Sequence, residues 1–435
     1  MQEIGNGKRV ADLAARWACN RERTRRFFRE ILTPEAWLER PIALRNPFVF
    51  YDGHIAAFAV NTLLKRALGR PGVDAGMEIL FERGIDPLDA SGVRASTWPD
   101  RECVEAYIRA ADEGVATVFE PGMSAETVEG VLVILEHEEM HQETLRYMLH
   151  QLPYRLKREP RGAASPHPGG PPPSPRVARV PAGRARLGVS PGEIPLAWDN
   201  ELPSRTVGVD SFEMDVYPVT NAGWLEFVEA GGYRNRDLWP EDAFGWVVRE
   251  RVEKPAFWTR HGGRWLWRAQ FHEIPLPLAW PVYVSHAEAS AYARWKGRRV
   301  PTEAEYHRAA FGRPSGREAA FPWGDEGAGT AFGNFGLGNW DPMPVGHFPA
   351  GASAWGIEDL VGNGWEWTAT PFAGFPGFHP MHLYPNYSAD FFDDSHFVLK
   401  GASPATASTL VRRSFRNWFQ PQYPFVYAKF RTVGG

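Results

Sequence analysis

Cysteine is nearly absent from this chain. Its 435 residues include two, Cys19 and Cys103, too few for a disulfide framework, and both read as buried thiols. No run of eighteen apolar residues occurs, and the first nine residues lack an apolar signal-peptide core. Neither a spanning helix nor a secretory leader is therefore expected. Charge of one sign is missing as well. A net charge of −4 supplies no basic field for nucleic acid or an anionic membrane. These absences predict a soluble, cytoplasmic protein with neither nucleic acid nor membrane as a partner. Hydrophobic residues at 43% and charged residues at 23% make it globular, and its length predicts two domains. Tryptophan is abundant instead, with 18 residues mostly beyond position 190. Such density points to a loop-rich domain that uses large rings as core and keeps some for ligand contact.

Apolar spacing near 3.6 residues marks four helices, at roughly 8–32, 50–69, 100–118 and 124–151. Ser124 precedes the last as an N-cap, and Glu126 sits in its first turn, where the helix dipole favours an anion. Residues 1–157 thus read as a four-helix bundle. The Pro/Gly/Ser-rich stretch 158–176 reads as a linker, with His167 solvated inside it. Residues 177–435 change to short β-prone pieces with a few helices, such as 220–230 and 286–296, and Ser285 and Thr302 stand as caps. The expected fold class is α+β multidomain.

His137 and His141 lie in LEHEEMHQETL. An i, i+4 spacing on a helix stacks both imidazoles on one face, able to share a cation. The same residues match H-E-x-x-H, in which Glu138 is the general base of a zinc protease. Thr144 and Tyr147, however, replace the Gly and His of the extended form. His54, among apolar and aromatic residues at helical spacing, is the natural third ligand from another helix. Three neutral imidazoles leave coordination positions open for substrate and O₂, which suits iron(II) and leaves zinc or another divalent ion as alternatives.

FYDGH at 50–54, HEEMHQE at 137–143 and GNGWEWT at 362–368 together resemble the ergothioneine and ovothiol sulfoxide synthases. WDNELPSRTVGVDSFEMDVYPVTNAGWLEFVEAGGY (198–233), VPTEAEYHRAA (300–310), FPWGDE (321–326) and SFRNWFQP (414–421) extend the likeness over nearly the whole chain. The resemblance implies a DinB-like bundle followed by a formylglycine-generating-enzyme-like domain, a variant of the C-type lectin fold. It implies that His54, His137 and His141 hold iron(II). It further implies that O₂ drives bond formation from sulfur to C2 of a histidine-derived imidazole. Asn417 and Trp418 match the family's betaine contact, and an indole face suits a trimethylammonium that cannot donate hydrogen bonds. Arg416 either meets a substrate carboxylate or holds its loop. Both cysteines precede the linker, so the cysteine chemistry of formylglycine-generating enzymes is not expected.

Three departures bear on the sulfur donor. Phe419 stands where an Asp follows the Asn-Trp pair, Trp98 where an arginine precedes proline, and Met140 where a Gln is usual. Aromatics in place of charges remove the charge-assisted contacts that an amino-acid donor needs, whereas aromatic faces pack against sugars. RNPFVFYDGHIAAFAVNTLLKRALGR (45–70) and FERGIDP (81–87) are similar to the ovothiol branch and closer still to selenoneine synthases, which join hercynine to a selenosugar. The chain stops at Gly435, without the C-terminal methyltransferase typical of ovothiol enzymes. The alternative donors are cysteine, γ-glutamylcysteine and a thiosugar. A family tyrosine near the oxygen site maps to GFHPMHLYPNYSADFF (377–392). A one-residue length difference leaves Tyr384, Tyr387, Phe375 and Met381 as its counterparts, with His379 and His382 read as surface residues.

Overall fold

The structure, a computed structural model, describes residues 2–82 and 98–434. Most of FERGIDP, and residues 94–97 ahead of Trp98, lie outside the described residues. The chain divides into two units: Met1–Gly162 with His382–Tyr384, and Ala163–Met381 with Pro385–Gly435.

The first unit is helical: α1 (Gln2–Arg26), α2 (Phe48–Ala59), α3 (Ala75–Leu80), α4 (Arg101–Ala116) and α5 (Ala125–Gln151). α1 packs on α5, and α2 packs on both α4 and α5. Every residue of α2 is buried, as an all-round apolar helix must be. α1 and α2 each run on into π-helical turns, at Phe27–Ile31 and Val60–Ala67, a geometry common beside functional sites. Ser124 Oγ accepts from Thr127 N and caps α5. The helix stops at Leu152 because the residue before Pro153 is driven out of the α region. Both cysteines are exposed, not buried. Cys103 lies off the α4 stripe of Val104, Tyr107, Ala111 and Val115 that takes the core. Among the described residues, no helix is long and apolar enough to cross a membrane.

The second unit mixes helices and sheets. β1 (Val177–Val180), β2 (Gly183–Leu187), β3 (Arg205–Val209) and β4 (Phe212–Asp215) open it. α6 (Asn221–Glu229), α7 (Glu241–Arg249), β5 (Trp258–His261), β6 (Arg264–Arg268), β7 (Glu273–Pro275), α8 (His286–Trp295) and α9 (Glu303–Phe311) follow. β8 (Gly364–Pro371), β9 (Phe397–Ala402), β10 (Asn417–Phe419), β11 (Ala428–Lys429) and β12 (Val433–Gly434) complete it. The sheets run β1-β4-β12, β10-β9-β8-β11, β2-β3 and β5-β6-β7. Ser285 and Thr302 each close a capping box, with Glu288 and Glu305. Seven tryptophans, Trp198, Trp224, Trp258, Trp267, Trp280, Trp365 and Trp367, are among its fully buried side chains. Residues 163–176 belong to this unit, and the Trp280 indole N–H donates to the His167 carbonyl at 2.8 Å. A buried indole that needs a partner thus pins a segment whose composition alone reads as loose.

β8 carries a charged knot through this core. Glu366 accepts from Lys429 Nζ at 3.2 Å and from Arg431, and all three side chains are buried. Lys429 also donates to the Gly364 carbonyl at 2.7 Å. Position 364 needs glycine: its φ is +134°, and a Cβ there would stand 2.8 Å from the Tyr283 ring. Removing one member of such a group leaves uncompensated buried charge. Glu366→Ala is therefore expected to cost about 3–5 kcal/mol of stability, read as a lowered urea midpoint for this unit.

Candidate metal centre

His54 comes from the middle of α2, and His137 and His141 from adjacent turns of α5. All three are buried, with ligand nitrogens within 4.8 Å of one another. His137 Nε2 and His141 Nε2 are 3.1 Å apart. Two nitrogens each about 2.1 Å from one cation stand about 3.0 Å apart at a right angle and about 3.4 Å at the tetrahedral angle. The observed pair therefore fits a shared divalent ion. His54 Nδ1 donates to the Phe81 carbonyl at 2.6 Å, which fixes the tautomer and leaves the Nε2 lone pair facing inward. That Nε2 is buried without a hydrogen-bond partner among the described residues, an arrangement that a cation would satisfy.

Aromatic rings hold the imidazoles in place. Phe58 lies flat on His137, with centroids 3.4 Å apart, and Phe50 stacks on His54 at 4.8 Å. Tyr51 lies 5.5 Å from His141. Burial is the main force that drives His54 down to about 4, partly opposed by its bond to Phe81. The same burial, together with neighbouring histidines, pushes His137 and His141 well below the usual histidine value. Neutral imidazole is the form that binds metal.

The other expected site residues separate into two groups. Tyr384 clusters with the helical unit, its ring 6.0 Å from His137 and 5.0 Å from Phe58. Trp98, half-buried, stacks on Phe81 at 5.9 Å and meets Phe50 edge-on. Met140 sits on α5 between Glu139 and His141. Tyr387 belongs to the second unit, against Trp198 at 4.2 Å and Trp418 at 5.3 Å. Trp418, on β10, lies parallel to Phe372 at 4.3 Å, with Phe391 at 5.6 Å. Asn417 Oδ1 accepts from the Trp418 amide, and Phe419 stacks on Tyr423. Arg416 immediately precedes β10. Its buried guanidinium donates to both Glu303 oxygens and to the carbonyls of Asn200 and Ala373. His379 and His382 are exposed. Asp199 lies in the 198–233 motif without being singled out by it, and its buried carboxylate accepts from the Met381 amide at 3.4 Å and from the Ser388 hydroxyl. One side chain thereby closes both stems of the 382–387 loop.

Glu138 serves α1 instead of the metal. Arg21 donates to it at 2.9 Å and Thr24 at 2.6 Å, while burial pushes its carboxyl up against the pull of Arg21. A peptidase base must face the metal-bound water, and this carboxylate is held by the opposite helix. Glu138→Ala is expected to lower stability by about 3 kcal/mol while metal content, measured by elemental analysis, stays at the wild-type level.

Comparison with known proteins accords with this geometry. Residues 16–145 match the DinB superfamily, and residues 164–434 match the sulfatase-modifying factor enzyme 1-like domain family. A hercynine oxygenase of Mycolicibacterium thermoresistibile is 39% identical over 312 residues, covering 69% of this chain and 68% of the relative. A hercynine oxygenase of Mycobacterium tuberculosis is 41% identical, covering 57% and 58%. Ergothioneine biosynthesis protein 1 of Neurospora crassa is 27% identical over 93% of this chain, which spans 56% of that protein. With both matched regions present in this order and a relative 39% identical over two thirds of its length, the chain belongs to the hercynine oxygenase and ergothioneine-biosynthesis family.

Proposed function

We propose that this chain is an iron(II)- and O₂-dependent enzyme that joins C2 of the hercynine imidazole to the selenium of a selenosugar. The observation that carries the metal reading is the convergence of three buried neutral imidazoles, His54 with its Nε2 unpartnered. An all-imidazole set with open positions suits iron(II). Family membership favours an oxidative reaction and a hercynine substrate. Iron supplies the electron-transfer chemistry with O₂ when bound. Joining C–H to Se–H releases two electrons and two protons. O₂ accepts four electrons, so the remaining pair oxidises selenium to the selenoxide, and water is the co-product.

The protein's contribution is placement. The three histidines present one face to the substrate, and the Phe50, Phe58 and Tyr51 rings around them keep that face poor in water. Trp418, backed by Phe372 and edged by Tyr387 and Phe391, offers the aromatic surface that a trimethylammonium needs, with Asn417 beside it. Tyr384, 6.0 Å from His137 between ring centroids, is the residue assigned to deliver a proton near the O₂ position. Aromatic Trp98 and Phe419, in place of charged residues, favour a sugar donor. A thiol donor is the second reading, because the relatives are named for ergothioneine biosynthesis.

Anaerobic reconstitution with iron(II), followed by hercynine and O₂ with cysteine, γ-glutamylcysteine, a thiosugar and a selenosugar in parallel, decides between them. Fastest turnover is expected with the selenosugar, and faster product formation with any thiol selects the second reading. Turnover without iron would reject both. Trp418→Ala is expected to raise KM for hercynine about tenfold or more, consistent with about 2 kcal/mol for a desolvated cation–π contact, and to change KM for histidine far less. Equal effects on the two substrates would remove the indole from ammonium recognition.

A further inference from the structure

His54 is oriented by a single hydrogen bond, from its Nδ1 to the carbonyl of Phe81 at 2.6 Å. Phe81 follows the last turn of α3, where a helix leaves carbonyls without intrahelical partners. The turn itself is fixed: Phe81 N donates to the Met77 carbonyl at 2.9 Å, and Asp74 caps the other end through Gly76 N and Met77 N. The Phe81 ring is fully buried and forms a three-ring cluster with Phe50 at 6.4 Å and Trp98 at 5.9 Å, themselves 6.4 Å apart.

On α2, Gly53 immediately precedes His54. A Cβ at Gly53 would stand 2.5 Å from Cδ2 and Cε2 of Phe81 and 2.6 Å from Cζ. Real carbon contacts do not approach so closely, and the Phe81 ring is fully buried and packed on both Phe50 and Trp98, so a shift of the ring would disturb them. The missing Cβ is therefore what admits the ring against α2, and with the ring comes the carbonyl that holds His54.

We propose that Gly53 and Phe81 form a fitted pair that positions the His54 imidazole for metal, with Trp98 stacked on the ring. Neither residue donates a ligand atom, so both are positioning residues. The inference rests on the three-histidine metal reading. A partner of this kind fixes ring orientation and tautomer, and its loss commonly weakens metal binding 10–100-fold.

The test is a double-mutant cycle read as metal affinity by anaerobic cobalt(II) titration against a chromophoric chelator, with a melting curve for each protein. Gly53→Ala is expected to weaken cobalt binding 10–100-fold in the wild-type background. In the Phe81→Ala background, which keeps the carbonyl and removes the ring, the same change is expected to cost less than about threefold. An equal loss in both backgrounds, or no loss in the wild-type background, overturns the pairing. Should Gly53→Ala fail to accumulate as folded protein, the double variant decides. Folded protein with the affinity of Phe81→Ala supports the fit, and failure to fold in that background also overturns it. Failure of the metal reading is recognised separately, because wild-type protein then takes up no cobalt and both proposals fall.

Discussion

Three imidazole nitrogens are gathered in the interior of a helical bundle, where burial removes water and leaves lone pairs to be satisfied from within. That constraint organises much of the first unit. An uncharged imidazole face in an apolar interior costs little, whereas a protonated one is strongly disfavoured, and the depressed values at all three histidines follow from it. The helices that carry them must then be held in register. α5 achieves this with acids pointing away from the histidines: Glu138 to Arg21 and Thr24, and Glu139 to Arg16 and Asn20 of α1. A polar-looking helix is in this way almost wholly buried.

The second unit solves a different problem with the opposite chemistry. Its strands are short and its loops long, so directional contacts hold what hydrophobic area alone would leave mobile. Glu366 with Lys429 and Arg431, Glu201 with Arg412 and Ser414, and Glu303 with Arg416 tie segments distant in the chain through charge-assisted bonds. The tryptophans fill the spaces between them, and several donate their indole N–H to a backbone carbonyl, as Trp367 does to Val284.

Patterns carried by one element were readable from sequence. The four long helices show in their apolar period, and the caps Ser124, Ser285 and Thr302 show because capping uses a short polar side chain next to its target. The pairing of His137 with His141 is a consequence of helical pitch alone. What escaped depends on partners distant in the chain. Nothing near Glu138 tells that α1 will claim it, and nothing near Pro-rich 163–176 reveals a waiting indole at Trp280. The role of Phe81 is invisible in sequence because a backbone carbonyl has no letter of its own. The carboxylate that meets Arg416 is likewise distant, since Glu303 lies more than a hundred residues away.

The closure of the 382–387 loop by Asp199 makes that loop a cassette. Its two stems meet one carboxylate, so the residues between them can change in number without disturbing the strands on either side, much as hairpin tips vary on a fixed ladder. A loop built this way lets a lineage move an aromatic side chain by one position while the scaffold stays constant. Alignment by sequence then loses its register where such variation is tolerated, and Tyr384 and Tyr387, three residues apart, meet different neighbours, His137 and Trp198.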